Sequence, residues 1–258
     1  MQPLEITVQA AGTEEELCSN IRSALARGLP ELMLGPTKHD GTMVLVASGW
    51  SMPDYVDEIR AHQKVNRPIV AIKAAHDFLV KNGIKPDLWV NLDPRDRTNG
   101  IQELNDHTVY MPASRCPPST FEHLKGRKVL LWHSWAEGKE MEAIGPGKLA
   151  IGGGTTSGLR AVNIGYILGY RKFVLYGYDS CNRADGVKRF TGDMTGPSVD
   201  VWVGGENGKK FNCNMAMAQQ ANEFQKIFGV MADVNLEVKG PGLIAEIMRV
   251  REQRAEAA

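Results

Sequence analysis

The chain has 258 residues, with 30 Lys plus Arg against 30 Asp plus Glu, and is long enough for one α/β domain with a full core. Zero net charge argues against a nucleic-acid clamp or attraction to an anionic membrane, so small molecules are the expected partners, and a homo-oligomer is compatible with this balance. Four dispersed cysteines, Cys18, Cys116, Cys181 and Cys213, include no C-x-x-C pair, which excludes a zinc cage of that type and fits a reducing compartment.

The opening residues lack a basic segment followed by an apolar one, and no apolar run approaches the ~20 residues of a membrane span, so the expected location is cytoplasmic. Residues 13–27 carry Leu17, Ile21 and Leu25 at i, i+4, i+8 behind Thr13, an amphipathic helix with its cap. A loop with Pro30, Gly35 and Pro36 follows. From there, apolar runs at 43–47, 69–72, 88–92, 108–111, 128–132, 173–176 and 234–238 alternate with helical patterns at 53–62, 74–81, 118–124, 156–168, 215–228 and 243–249. The runs are continuous rather than alternating, as parallel strands covered on both faces require.

This order predicts a single Rossmann-like α/β domain: a doubly wound, mostly parallel sheet with a hairpin-containing insertion. The insertion spans 181–214, where a polar, glycine-rich stretch holds a hairpin of 199–203 and 209–213 about a turn at 204–208. Its length points to a lid or an oligomerisation insertion. The tail 251–258 reads as frayed, because its charges have no apolar stripe beside them.

Open α/β sheets bind ligands at the carboxyl ends of their strands, so polar residues there are the candidates. The first strand ends in Ser48-Gly49-Trp50-Ser51, a tight turn into a helix for which Ser51 reads as the N-cap. Asn91 and Asp93 interrupt the apolar 88–92 strand at its carboxyl end. Gly152, Gly153 and Gly154 lead into Thr155, Thr156 and Ser157 at a helix start, where glycines allow close backbone approach and hydroxyls sit beside free N–H groups. No G-x-x-x-x-G-K-[ST] is present, and Ser157 stands where G-x-G-x-x-G needs its third glycine. The strand 173–176 leads to Asp179. Asp93 and Asp179 are suited to holding Mg²⁺, orienting a ribose hydroxyl or acting as general base.

The six histidines show no ligand spacing; His133 at a strand end is the best functional candidate among them, and Arg95 is a further one. The five tryptophans and the Met215, Met217, Ala218, Ala221, Phe224 stripe read as core.

Taken together, Ala47-Ser-Gly-Trp-Ser-Met52, Ile84-Lys-Pro-Asp-Leu-Trp-Val-Asn-Leu-Asp93 and the block running from Gly154 to Asp179 resemble the 6-hydroxymethylpterin diphosphokinase MptE-like family. That family is a former domain of unknown function with many phage members, and it is distantly similar to bacterial sialyltransferases. The resemblance implies that the turn at Gly49 and Ser51 lies against a nucleotide, although Trp50 stands where the family has proline. It also implies site roles for Asp93, Thr156, Ser157 and Asp179, and a nucleotide cofactor, ATP or a nucleotide-sugar, with Mg²⁺ in the ATP-dependent case. No histidine follows His133, which speaks against sialyl transfer by a downstream histidine base.

The resulting expectation is a nucleotide-dependent transferase, with phosphoryl or pyrophosphoryl transfer to a small-molecule acceptor as the first reading. Glycosyl transfer from a nucleotide-sugar and a non-catalytic nucleotide-binding phage accessory protein are the alternatives. The nucleotide-binding residues would be Ser48, Gly49, Ser51, Asn91, Gly153, Gly154, Thr155, Thr156 and Ser157; Asp93 and Asp179 would be catalytic and hold any metal.

Overall fold

The computed structural model describes residues 11–35, 37–194, 196–204 and 208–256, and the fold is described over these. Helix α1 (Glu14–Leu25) starts in a reciprocal cap: Glu16 N donates to Thr13 Oγ1 at 3.2 Å, and Thr13 N donates to Glu16 Oε2 at 2.8 Å. Leu17, Cys18, Ile21 and Ala24 form its buried stripe. Then follow β1 (Thr42–Val46), a 3₁₀ turn (Met52–Tyr55) and α2 (Val56–Lys64), β2 (Ile69–Ile72), α3 (Ala75–Lys81), β3 (Leu88–Asn91), β4 (Val109–Pro112) and α4 (Pro118–His123). Short strands β5 (His133–Ser134) and β6 (Ala150–Ile151) flank α5 (Lys139–Ile144). The remainder is α6 (Ser157–Ile167), β7 (Lys172–Tyr176), the hairpin β8 (Val199–Val203) and β9 (Lys209–Cys213), α7 (Met215–Val230), β10 (Asn235–Val238) and α8 (Leu243–Glu256).

The main sheet has the order β10-β7-β1-β2-β3-β4 and is parallel throughout. Each central strand buries both faces. Met43 and Leu45 of β1 join Val70, Ile72, Val90 and Met111 in a core beneath Leu159 and Val162 of α6 and Phe224 of α7. Val44 and Val46 face the other way, onto Ile59 of α2 and Leu79 of α3. This two-sided burial is the physical reason the strands read as unbroken apolar runs. β1 pairs with β2 on one side and with β7 on the other, so the chain reverses its winding there and leaves a crevice at the carboxyl edge.

The Rossmann-like expectation is met, with three differences. The run 128–132 forms no continuous strand. Val129 and Trp132 bridge Tyr110 and Ala113 of the β4 edge, while Leu131 turns to Glu31. The ladder breaks at Pro112, which has no N–H to donate. Helix α5 has no counterpart in the sequence reading; it is six residues long and buries only Ile144, too little for a periodic signal. Helix α8 continues to Glu256, well past the expected end at 249 and into the tail read as frayed. Strands β8 and β9 fall where the hairpin was expected, but residues 205–207 of its turn lie outside the described residues. All four cysteines are free and buried. Among the described residues, no helix is long and apolar enough to cross a membrane.

Removing the α1 cap by Thr13→Ala is expected to cost about 1 kcal/mol. In a chain of this size that lowers the thermal unfolding midpoint by roughly 2–4 °C, measurable by circular dichroism.

Candidate functional site at the carboxyl edge of the sheet

Two knots of hydrogen bonds and one ion cluster organise this edge. The first knot joins the loops after β1 and β7. Asp179 is 2% exposed; its Oδ2 accepts from Ser51 N at 2.9 Å and its Oδ1 from Ser51 Oγ at 2.6 Å. The Ser51 hydroxyl therefore does not cap the following helix, correcting the N-cap reading; it is spent on Asp179. Gly49 is required by close approach, because a Cβ there would lie 2.3 Å from Asp179 Oδ2 and 2.4 Å from Gly177 O. Burial raises the Asp179 pKa above the ordinary carboxylate value, and the two Ser51 donors partly offset this.

The second knot joins β3 to the start of α6. Ser157 Oγ accepts from Leu92 N at 3.0 Å, and Asn91 Oδ1 accepts from Asp93 N at 2.9 Å. Thr156 caps α6 by accepting from Leu159 N and also accepts from Gln220 of α7. Thr155 donates through N and Oγ1 to Glu223, both at 2.9 Å. Gly153 is left-handed at φ +96, and a Cβ on it would meet the Asn163 side chain at 2.0 Å. Gly154 is also left-handed, at φ +88.

At the second knot lies the Asp93 carboxylate, with Asp93 5% exposed and surrounded by cations. Arg95 grips it as a fork, Nε to Oδ1 at 2.9 Å and Nη2 to Oδ2 at 3.0 Å. Lys73 Nζ, from the loop after β2, reaches Oδ2 at 2.9 Å, and Arg97 Nε does so at 3.2 Å. Burial alone would raise the Asp93 pKa, but Arg95 and Lys73 outweigh it and hold the carboxyl far below its usual range. Three cations on one carboxylate leave a local surplus of positive charge.

The insertion after β7 lies against this edge. Trp50 Nε1 donates to Cys181 O at 3.1 Å, Phe190 N donates to Ser48 O at 3.3 Å, and Arg189 bridges Gly49. Phe190 also packs on Phe78 of α3, ring centroids 4.8 Å apart. Lys73, Arg97 and Arg189 carried no sequence prediction. Lys73 follows a strand as Asp93 does, so the rule that selected Asp93 would also have found it; Arg189 needed the tertiary path of the insertion.

The structure brings Ser48, Gly49, Ser51, Asn91, Asp93, Arg95, Ser157 and Asp179 to this edge. His133 stands apart: it is 1% exposed in β5, and its Nε2 meets Glu31 Oε2 at 3.0 Å, with Lys148 on the other Glu31 oxygen. The two aspartates do not fit a shared Mg²⁺. They follow strands three places apart in the sheet, roughly 14 Å by strand spacing, and no described side chain bonds both. Asp93 already faces three cations and both Asp179 oxygens are taken by Ser51. No group of three or more His, Cys, Asp or Glu suited to a metal occurs among the described residues. Two grooves of about 300 and 550 Å³ lie along α8 beside Lys209 and Arg249, and the first is also lined by Gly240 and Gly242 of the loop after β10, which packs against Ser51 and Asp179. Of the tryptophans, Trp89 and Trp132 fill the core as expected, while Trp135 and Trp202 are half exposed.

A parallel doubly wound sheet with its polar crevice at the switch strand defines a Rossmann-like α/β protein. The chain belongs to the 6-hydroxymethylpterin diphosphokinase MptE-like family, whose model matches residues 15–185. Eight chains of solved structures match it. Among them is the MAf glycosyltransferase from Magnetospirillum magneticum AMB-1, similar in fold at a TM-score of 0.68 and 15% identity. That match takes in 96% of this chain but 42% of the glycosyltransferase. No curated protein matches. The family is described by a diphosphokinase, a transferase, and the structural likeness shows the fold.

The folded Asp93 pKa lies below its unfolded value near 3.8, so its contribution to stability is complete above that value and fades as pH falls below it. In urea unfolding across about pH 2–5, Asp93→Asn should show a shallower acid loss than wild type. For Asp179, Asn preserves the fold, accepting from Ser51 N–H and donating to Ser51 Oγ. Ala leaves the Ser51 N–H buried and unpaired, at roughly 1–3 kcal/mol by the same assay.

Proposed function

We propose that the protein is a nucleotide-dependent transferase whose anionic donor binds at the carboxyl edge, between the Ser48–Gly49 turn and the cations gathered on Asp93. The observation that carries this reading is the surplus of positive charge from Lys73, Arg95 and Arg97 around a single carboxylate, at the switch-strand crevice. Arg189 from the insertion adds a fourth cation near Lys73, itself paired with Asp193 at 3.1 Å, and its backbone bridges Gly49. Such a cradle neutralises a di- or triphosphate and stabilises charge that grows on it during transfer. Family membership points to phosphoryl or pyrophosphoryl transfer from ATP to a small acceptor.

In this reading Asp93 acts by holding the cations rather than as a base, because a carboxylate so strongly stabilised in its ionised form is a poor proton acceptor. Asp179 positions the Gly49 turn through Ser51. Ser157 and Asn91 fix the loop that carries Asp93. The insertion, attached through Trp50, Ser48 and Phe190, serves as the cover that excludes water.

A second reading, glycosyl transfer from a nucleotide-sugar, is favoured by one feature: the site neutralises phosphate charge with side-chain cations, which suits a departing nucleotide. The solved fold neighbour carries the name of a glycosyltransferase. Both readings share the donor site and differ in the bond broken.

Thermal unfolding with ATP, GTP, CTP, CMP and UDP-sugars, with and without Mg²⁺, separates them. The true donor at ~100 times its dissociation constant adds about 2.7 kcal/mol. Arg95→Ala combined with Arg97→Ala should remove most of that stabilisation, and raised salt should weaken binding of wild type. If no nucleotide shifts the transition, the reading fails. A nucleotide that binds but is recovered unchanged with every acceptor identifies the non-catalytic alternative.

A further inference from the structure

Lys73 has a backbone that side-chain-bearing residues rarely adopt. Its φ is +52, one of three positive-φ residues other than glycine among those described, and it follows β2 directly at the carboxyl edge. Such a conformation is strained and persists only where surrounding bonds enforce it. Here they are visible. Lys73 N donates to Val90 O at 3.2 Å, and Lys73 O accepts from His76 N at 3.2 Å and from the indole Nε1 of Trp89 at 3.0 Å. Trp89 is 2% exposed on the adjacent strand β3, so its ring is a fixed strut.

The strained backbone delivers the ammonium to Asp93, yet Asp93 does not depend on it. The Arg95 fork satisfies both carboxylate oxygens with the bidentate geometry that makes such pairs strong, and Arg97 adds another donor. Lys73 is the surplus cation, and it can leave Asp93 without stranding a buried charge. Its side chain is about one-third open to solvent, at 32%. The charged groups around it are Asp93 and Arg97 from the loop after β3 and Arg189 of the insertion, which is paired with Asp193; the Cys116 thiol from the loop after β4 is also near, and burial keeps it neutral. Burial pushes the lysine pKa below its ordinary value; Asp93 opposes this, and Arg189 and Arg97 add to it.

We infer that Lys73 is the residue that exchanges Asp93 for the phosphate of the bound donor, and that Trp89 is its positioning residue, acting through the Lys73 carbonyl. The inference rests on the donor site proposed above, and it assigns the role to one cation of the four. No covalent step is involved: one ion pair, ammonium to carboxylate, is replaced by another, ammonium to phosphate, and the proton stays on Nζ.

The test measures binding of the best nucleotide from the thermal screen to wild type, Lys73→Met, Lys73→Arg and Trp89→Phe, by calorimetry from about pH 7 to about pH 10. Cooperative unfolding is checked for each variant. Lys73→Met should bind roughly tenfold or more weakly at neutral pH, as loss of a charge-assisted hydrogen bond entails. Wild-type affinity should fall on the alkaline side before an ordinary lysine titrates, and Lys73→Arg, which stays charged, should bind without that fall. Trp89→Phe loses the indole N–H and leaves a smaller ring at a buried site, so the unfolding midpoint falls in either case. The positioning role weakens binding and shifts the alkaline limb, whereas a merely structural role leaves the limb in place. If wild type binds and Lys73→Met binds equally well, the inference is overturned while the donor site stands. If wild type binds no nucleotide, both fall.

Discussion

The bond on which the carboxyl edge depends is the double grip of Asp179 on Ser51. β1 and β7 are hydrogen-bonded along their whole length, but a parallel ladder ends at the last residue of each strand and says nothing about the loops beyond. Asp179 continues the connection past the sheet. It satisfies two donors that would otherwise be buried without partners, and this orients the Gly49 turn toward the crevice. Its burial has an electrostatic cost, seen in the raised pKa, and the short, paired hydrogen bonds offset it. Two carboxylates on one edge thus do opposite work. Asp179 is enclosed and ties backbone to backbone, whereas Asp93 is held ionised and assembles charge.

Much of this was legible from residue order. Continuous apolar runs specified parallel strands because the central ones, such as Met43 to Val46, pack on both faces, and the capping box at Thr13 marked the start of α1 to the residue. The candidates Gly49, Ser51, Asn91, Asp93, Ser157 and Asp179 were found by one rule, that ligands gather where parallel strands end, and that rule depends only on knowing where the strands stop. What escaped depended on contacts between distant segments. Ser51 looked like a cap because Ser before a helix usually is one; only the return of β7 beside β1 offers its hydroxyl a better acceptor. His133 looked promising at the end of an apolar run, but Pro112 interrupts that run's ladder, and the histidine turns to Glu31 instead.

The cation cluster shows the same division. Arg95 and Arg97 are near Asp93 in sequence, and their grip on it is local. Lys73 and Arg189 arrive from another strand end and from the insertion, so the electrostatic character of the site is a tertiary property. Trp50 also gains a meaning it lacked in the sequence. Its indole N–H fastens the start of the insertion at Cys181 O, so the turn after β1 is held from outside by its neighbour.

Pro112 has a consequence at the far margin of the sheet. A parallel sheet ending in a free strand is a template on which a stranger's backbone can zip. Here that margin is blunted: Pro112 offers no donor, Tyr110 and Ala113 are already engaged by Val129 and Trp132, and the segment at Glu31 covers Leu131. The opposite margin is β10, four residues long, with Glu237 exposed and Lys239 just beyond it, charges that discourage an incoming strand. The molecule therefore resists runaway self-templating at both ends, and it can keep a strongly apolar sheet without becoming a seed for fibres.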